Sequence, residues 1–161
     1  MKTQKLKTYV LIVSPEFPST HAKKGEKTGF IEQIIYSYKI HTIRSNYELW
    51  AKRINEVQEG KAVLSLRYWA GKPYKKDKNG IGQVEFLRLN KDSGVGVQKL
   101  QFSASGLMGM VMIDEFQNSI NHNIEDLSKN DGLSIPDFEE WFKNYDLRKP
   151  LAIIHFTKFR Y

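Results

Sequence analysis

Residues 39–44, KIHTIR, gather a lysine, a histidine, a threonine and an arginine just after an apolar stretch. A lysine kept near buried structure and a second cation has its ammonium form disfavoured, which makes it a usable base at neutral pH. A threonine hydroxyl is a nucleophile that such an amine can activate. Arg44 offers a planar fork for phosphate or another planar acceptor. If Lys39 closes a helix and the chain is extended from Thr42, then Lys39 and Thr42 converge, and Thr42 and Arg44 share one side of a strand. Ile40 and Ile43 anchor the segment. The same residue types also suit an ordinary helix C-terminus, whose dipole favours cations, and spacing alone leaves both accounts open.

The elements that must hold these groups follow from periodicity and punctuation. Tyr9 to Val13 reads as a first strand, ended by a loop over residues 14–29 that holds two prolines, two glycines and several lysines. Phe30, Ile31, Ile34, Ile35 and Tyr38 recur at helical spacing and predict a helix running into the motif. Ser45 or Asn46 caps a second helix with an apolar stripe of Tyr47, Trp50, Ile54 and Val57, closed by Gly60. Strands are expected over 61–69, 83–90, 95–102 and 107–113, with a turn-forming SASG before the last of these. A short helix stopped by Gly132 follows, then a helix capped by Ser134 that turns Phe138, Trp141 and Phe142 inward. LAIIHFTKF closes the chain as a strand. This order predicts one α+β domain over residues 1–161, with an antiparallel or mixed sheet curled into a small barrel.

Composition narrows the classes of function. The chain has 161 residues, 40% hydrophobic and 27% charged, the balance of a globular domain rather than a disordered one. No apolar run approaches the roughly 20 residues of a membrane-spanning helix, and the apolar part of the N-terminal stretch is shorter than the ~7–15 residues of a signal-peptide core. No membrane partner is expected, and a cytoplasmic location fits. With no cysteine, disulfides, thiolate metal sites and a cysteine nucleophile are excluded. The net charge of +7 favours polyanionic partners.

His21, His41, His122 and His155 form no metal-binding pair by spacing, so no metal is expected. His155, inside an apolar strand, reads as a hydrogen-bonded or edge residue. There is no dinucleotide glycine fingerprint, no Walker lysine and no G-x-S-x-G elbow, and no cofactor is expected. Glu85 lies in a strand among apolar residues, either as a carboxylate needing a partner or as an outward-facing residue. Trp69, Lys72 and Tyr74 in YWAGKPY follow a strand end and can offer an aromatic face and a cation to a nucleobase; Trp69 equally suits a core.

KIHTIR, followed in order by LSLRYWAGKPY, KNDGLSIPDFEEWF and a final apolar strand, resembles the ASCH domain family over roughly residues 9–161. The likeness is greatest to small stand-alone bacterial or phage-type members. It implies a PUA-like β-barrel of about five or six strands with flanking helices, and an RNA- or nucleotide-binding role. Some small members hydrolyse the amide of acetylated cytidine nucleosides with a lysine and a threonine from K-x-x-T and a glutamate before the last helix. The resemblance places these roles on Lys39, Thr42 and Asp131. Ser37 and Tyr38 stand where the family often has glycine, and an aspartate stands where it has glutamate. Asp131 also suits a plain turn role within NDG.

The expected function is therefore recognition of RNA or of a nucleoside or nucleotide in a basic cleft. There Arg44 takes phosphate or a base edge, Lys39 and Thr42 orient the ligand, and Trp69 or Tyr74 stacks on it. The alternatives are an amidohydrolase on acylated pyrimidine nucleosides and a protein-interaction module without catalysis. The sequence carries no signal of oligomeric state.

Overall fold

The computed structural model describes residues 5–108, 111–114 and 124–161. His122, residues 1–4 and part of the strand expected over 107–113 lie outside these. The described elements run β1 (Lys7–Ile12), α1 (Phe30–Ile35), β2 (His41–Arg44), α2 (Tyr47–Gln58), β3 (Ala62–Trp69), β4 (Gln83–Leu89), β5 (Gly96–Phe102), β6 (Val111–Ile113), α3 (Ile124–Asn130), α4 (Ile135–Phe142) and β7 (Leu151–His155). The α+β class holds.

The strands form two sheets, of order β1-β3-β4 and β2-β7-β5-β6. β1 runs parallel to β3, so a long crossover must join them; the 14–29 loop, α1, β2 and α2 supply it. All pairs in the second sheet are antiparallel. β7 is central there and buried along its whole length, which accounts for its uninterrupted apolar run. Asn46 caps α2 by accepting a hydrogen bond from the Leu49 N–H. The helix lays Trp50, Ile54 and Val57 against β3, β5 and β7 and so covers both sheets.

Seven strands are present among the described residues, against the five or six expected. The additional one is β2, the extended part of KIHTIR, which pairs with β7. No continuous ladder joins the two described sheets into a closed barrel. Instead the Arg44 Nη2 donates to the Ile12 carbonyl at 2.7 Å, bridging edge strand β2 to edge strand β1.

The first helix is shorter than its apolar spacing predicts. Ser37 adopts a left-handed φ of 60°, and the Ser37 and Tyr38 amides return to Ile34 O and Gln33 O, a Schellman closure that ends the helix at Ile35. Ile35 and Tyr38, expected on the inner face, are exposed. Ser37 thus takes the conformation that a glycine adopts at no steric cost. Lys39 lies past the helix, so the dipole account of its placement does not apply.

Candidate functional site

Backbone hydrogen bonds bring the two halves of the site together. The Lys39 amide donates to Gln33 O, the Ile40 amide to Asn130 O, and the Phe156 amide to Ile40 O. The start of the motif is thereby held between the end of α1, the end of α3 and the end of β7. At the end of α3, Gly132 N–H bonds Lys129 O and Leu133 N–H bonds Ser128 O, a Schellman motif with Gly132 at φ 80°. This turn presents Asp131 to Lys39. A β-carbon on Gly132 would lie 2.6 Å from Gln33 Oε1 and 3.3 Å from Lys39 Cβ, so the glycine of NDG answers to close approach as well as to φ.

Lys39 Nζ donates to Asp131 Oδ1 at 2.7 Å and to the Asp131 carbonyl at 2.5 Å. Both residues are buried. The carboxylate of Asp131 therefore meets a side chain 92 positions away rather than its own turn. The Phe30 ring covers the ammonium, its centroid 4.3 Å from Nζ. On the other side of Asp131 stands His41, with Nδ1 3.6 Å from Oδ1 and Nε2 2.7 Å from the Tyr161 hydroxyl. That hydroxyl accepts from Asn130 Nδ2 at 3.0 Å. Buried Lys39, Asp131 and His41 and half-buried Tyr161 thus form a row of polar groups, with the Asp131–His41 approach of 3.6 Å longer than a hydrogen bond.

Burial lowers the Lys39 ammonium below the ordinary lysine range by more than Asp131 restores, and Arg44 adds to the effect. Burial alone would raise the Asp131 carboxyl, but Lys39 and His41 outweigh it and hold the group below the usual carboxylate range. Burial also keeps the His41 ring neutral by lowering its pKa, against the pull of Asp131.

Strand alternation sets the rest. His41 and Ile43 turn into the core, while Thr42 and Arg44 turn to the other face. Arg44 Nη1 donates to Thr42 Oγ1 and to Ile43 O, each at 3.0 Å. Lys39, Thr42, Arg44 and Asp131 line one hollow with Phe30 and Trp141. It is narrow: Lys39 is 2% exposed and Thr42 4%, and the free space, about 10 Å³, suits roughly one water. The expected open cleft around KIHTIR is therefore a constricted hollow, reached only past half-buried Ser14, Arg44 and Trp141, whose cations already hold internal partners.

The loop over 14–29 helps to constrict it. Its composition predicts a surface segment, yet Phe17, His21 and Thr28 are buried. His21 Nε2 lies 3.2 Å from the Asp137 carbonyl, Lys23 Nζ bonds the Asp137 carboxylate at 2.8 Å, and Phe17 meets Trp141 edge-on at 5.8 Å. The loop is strapped to α4.

The remaining candidates stand elsewhere. Trp69, half-buried at the end of β3, and Tyr74, 89% exposed, have ring centroids 5.2 Å apart, with Lys72 exposed beside them. None of the three lines the hollow. Glu85 points outward on β4, bound by Arg88 through two hydrogen bonds of 3.0 Å and by the Ser65 hydroxyl. His155 is fully buried, with Nε2 2.9 Å from Gln98 Oε1. Among the described residues no cluster of histidine, aspartate and glutamate is arranged to hold a metal ion, and no helix is long and apolar enough to cross a membrane. Alternation sets His41 opposite to Thr42 and so gives no sign that it belongs to the site; it approaches Asp131 from the core side. Nothing in the sequence signals Tyr161.

Desolvation lowers the His155 pKa to about 2, against about 6.5 in the unfolded chain. The folded state thus excludes a proton that the unfolded state binds, so the stability contributed by neutral His155 is complete above about pH 6.5 and falls as the pH drops toward 2. At pH 5 the loss from this residue alone is about 2 kcal/mol. Urea unfolding at pH 7.5 and pH 5 is expected to show this drop, and His155→Gln is expected to flatten it; an unchanged pH profile in the variant would refute the assignment.

The chain matches no family model, no curated protein and no solved structure.

Proposed function

We propose that the protein is an RNA- or nucleotide-binding domain of PUA-like type, with the two sheets and the Arg44 bridge standing for the curled barrel. The observation that carries the reading is the β3–β4 loop. There the exposed Tyr74 ring lies beside Trp69, and Lys72, Lys75, Lys76 and Lys78 of the same loop are all exposed. An exposed aromatic pair on a lysine-rich loop suits a single strand, because bases stack and phosphates release counterions. Anisotropy of a labelled single-stranded RNA over a salt series tests it. Binding is expected to weaken steeply with salt, and Tyr74→Ala to cost about 1–3 kcal/mol. Binding that is absent or indifferent to salt removes this reading and leaves the protein-interaction module.

A second reading, an amidohydrolase on acylated pyrimidine nucleosides, is favoured by the meeting of Lys39, Thr42 and Asp131 at one hollow. Transfer of a proton from Lys39 Nζ to Asp131 leaves a neutral amine and a carboxylic acid. The amine then takes the proton of Thr42 or of a water, and the oxygen so freed attacks the acyl carbon. Collapse of the tetrahedral adduct breaks the C–N bond, and Asp131 protonates the leaving amine; where Thr42 is the nucleophile, a water deprotonated by Lys39 then cleaves the Thr42 acyl ester, releasing the carboxylate and restoring the hydroxyl. Arg44, against Thr42, steadies the oxyanion. Release of cytidine from N4-acetylcytidine is the measurement.

A further inference from the structure

The 14–29 loop is fastened to α4 by a histidine that satisfies its partners in one protonation state alone. His21 is 4% exposed. Its Nδ1 accepts from the Lys23 backbone N–H at 3.0 Å, and its Nε2 lies 3.2 Å from the Asp137 carbonyl. A backbone N–H only donates and a carbonyl only accepts, so the bonded ring is neutral with its proton on Nε2. An imidazolium carries a donor on both nitrogens and has no acceptor for the Lys23 N–H.

This fastening is coupled to the hollow. The His21 ring lies 4.5 Å from Phe17 and 6.2 Å from Trp141, centroid to centroid. Trp141 lies 5.5 Å from Phe30, whose ring rests on Lys39 Nζ. Ser14 at the start of the loop, Phe30 just past its end, and Trp141 and Phe142 of α4 all line the hollow. The loop and α4 are thus two walls of one space, and His21 stands where they are joined.

The charges around the ring set the direction in which it would move. On α4, Asp137 Oδ1 lies 3.9 Å from Nε2, and the Glu140 carboxylate also acts on the ring. On the loop, the Lys23 ammonium is drawn away to the other Asp137 oxygen at 2.8 Å. Two carboxylates of α4 against one cation of the loop pull a charged ring toward the helix and away from the Lys23 N–H.

We propose that His21 is a proton-operated catch: neutral, it closes the tip of the loop on α4; protonated, it frees the Lys23 N–H, turns to the α4 carboxylates and loosens the aromatic stack over Lys39. The proposal holds whichever ligand or reaction the hollow serves.

The test uses the full chain at pH 7.5 and pH 5, on either side of the range in which histidines commonly exchange their proton. At pH 7.5 the ring 15N shifts of His21 are expected to show the proton on Nε2. Hydrogen exchange at the Lys23 amide, corrected for the intrinsic effect of pH, is expected to be about tenfold faster at pH 5, the equivalent of one hydrogen bond. The Trp141 indole signal is expected to shift in the same step, while the α2 amides of Ile54 and Val57 stay protected. His21→Gln, whose amide can accept from Lys23 and donate to Asp137 without titrating, is expected to keep the loop closed at both pH values. A proton on Nδ1 at pH 7.5, exchange indifferent to pH, the same response in the variant, or protection lost in α2 together with the loop would overturn the proposal. A response at Lys23 with Trp141 unmoved would overturn the coupling to the hollow.

Discussion

Replacement of Asp131 by alanine is expected to destabilise the protein by about 3–5 kcal/mol, the cost of leaving a buried charge without its partner. Lys39 Nζ has the two oxygens of Asp131 as its close acceptors. The variant keeps the carbonyl and loses the counter-charge, while the Phe30 ring continues to exclude water. For a domain of this size each kcal/mol lowers Tm by about 2–4 °C, so thermal unfolding reads the effect directly. The double variant Lys39→Met, Asp131→Leu discriminates the cause. A buried ion pair replaced by apolar residues of similar volume is often neutral or stabilising by about 1–4 kcal/mol, so the double variant is expected to recover what the single one loses. A single variant as stable as the wild type would show that Lys39 is neutral or solvated in the folded protein.

On the amidohydrolase reading, Thr42→Val is expected to lower release of cytidine from N4-acetylcytidine by roughly 10²–10⁴-fold, the span associated with losing a positioned proton-transfer partner or its nucleophile. The substitution keeps the branched shape that suits β2 and removes only the hydroxyl, together with one of the two acceptors of Arg44 Nη1. An unchanged far-UV spectrum and denaturation midpoint within about 1 kcal/mol, the usual worth of one hydrogen bond, would separate chemistry from unfolding. Equal turnover in variant and wild type would exclude the hydroxyl from the reaction, and turnover in neither would exclude hydrolysis of this substrate.

The readable parts of the fold are those with chemical punctuation. Asn46 and Ser134 cap their helices with side-chain hydrogen bonds, Gly60 and Gly132 end helices with positive φ, and the apolar run at Leu151 occupies a strand buried throughout. The meeting of Lys39, Thr42 and Asp131 is different in kind. Alternation places Thr42 beside Arg44, but no local pattern brings residue 131 to residue 39; only the resemblance pointed there. The length of α1 misleads because Ile35 and Tyr38 continue the helical spacing while lying on the surface, and the stop is a serine in the left-handed region rather than a glycine. The constriction of the hollow was hidden by the lysines and prolines of the 14–29 loop, among which Phe17 and His21 give the anchoring.

Arg44 belongs to the motif that suggests chemistry, yet its guanidinium also rivets one sheet to the other through the Ile12 carbonyl. The wall of the chamber and the joint of the scaffold are the same side chain. Removing the Arg44 side chain therefore takes away a wall of the chamber and a fastening between β2 and β1 at once. An arginine at this position reports on how the halves are fastened before it reports on what they hold.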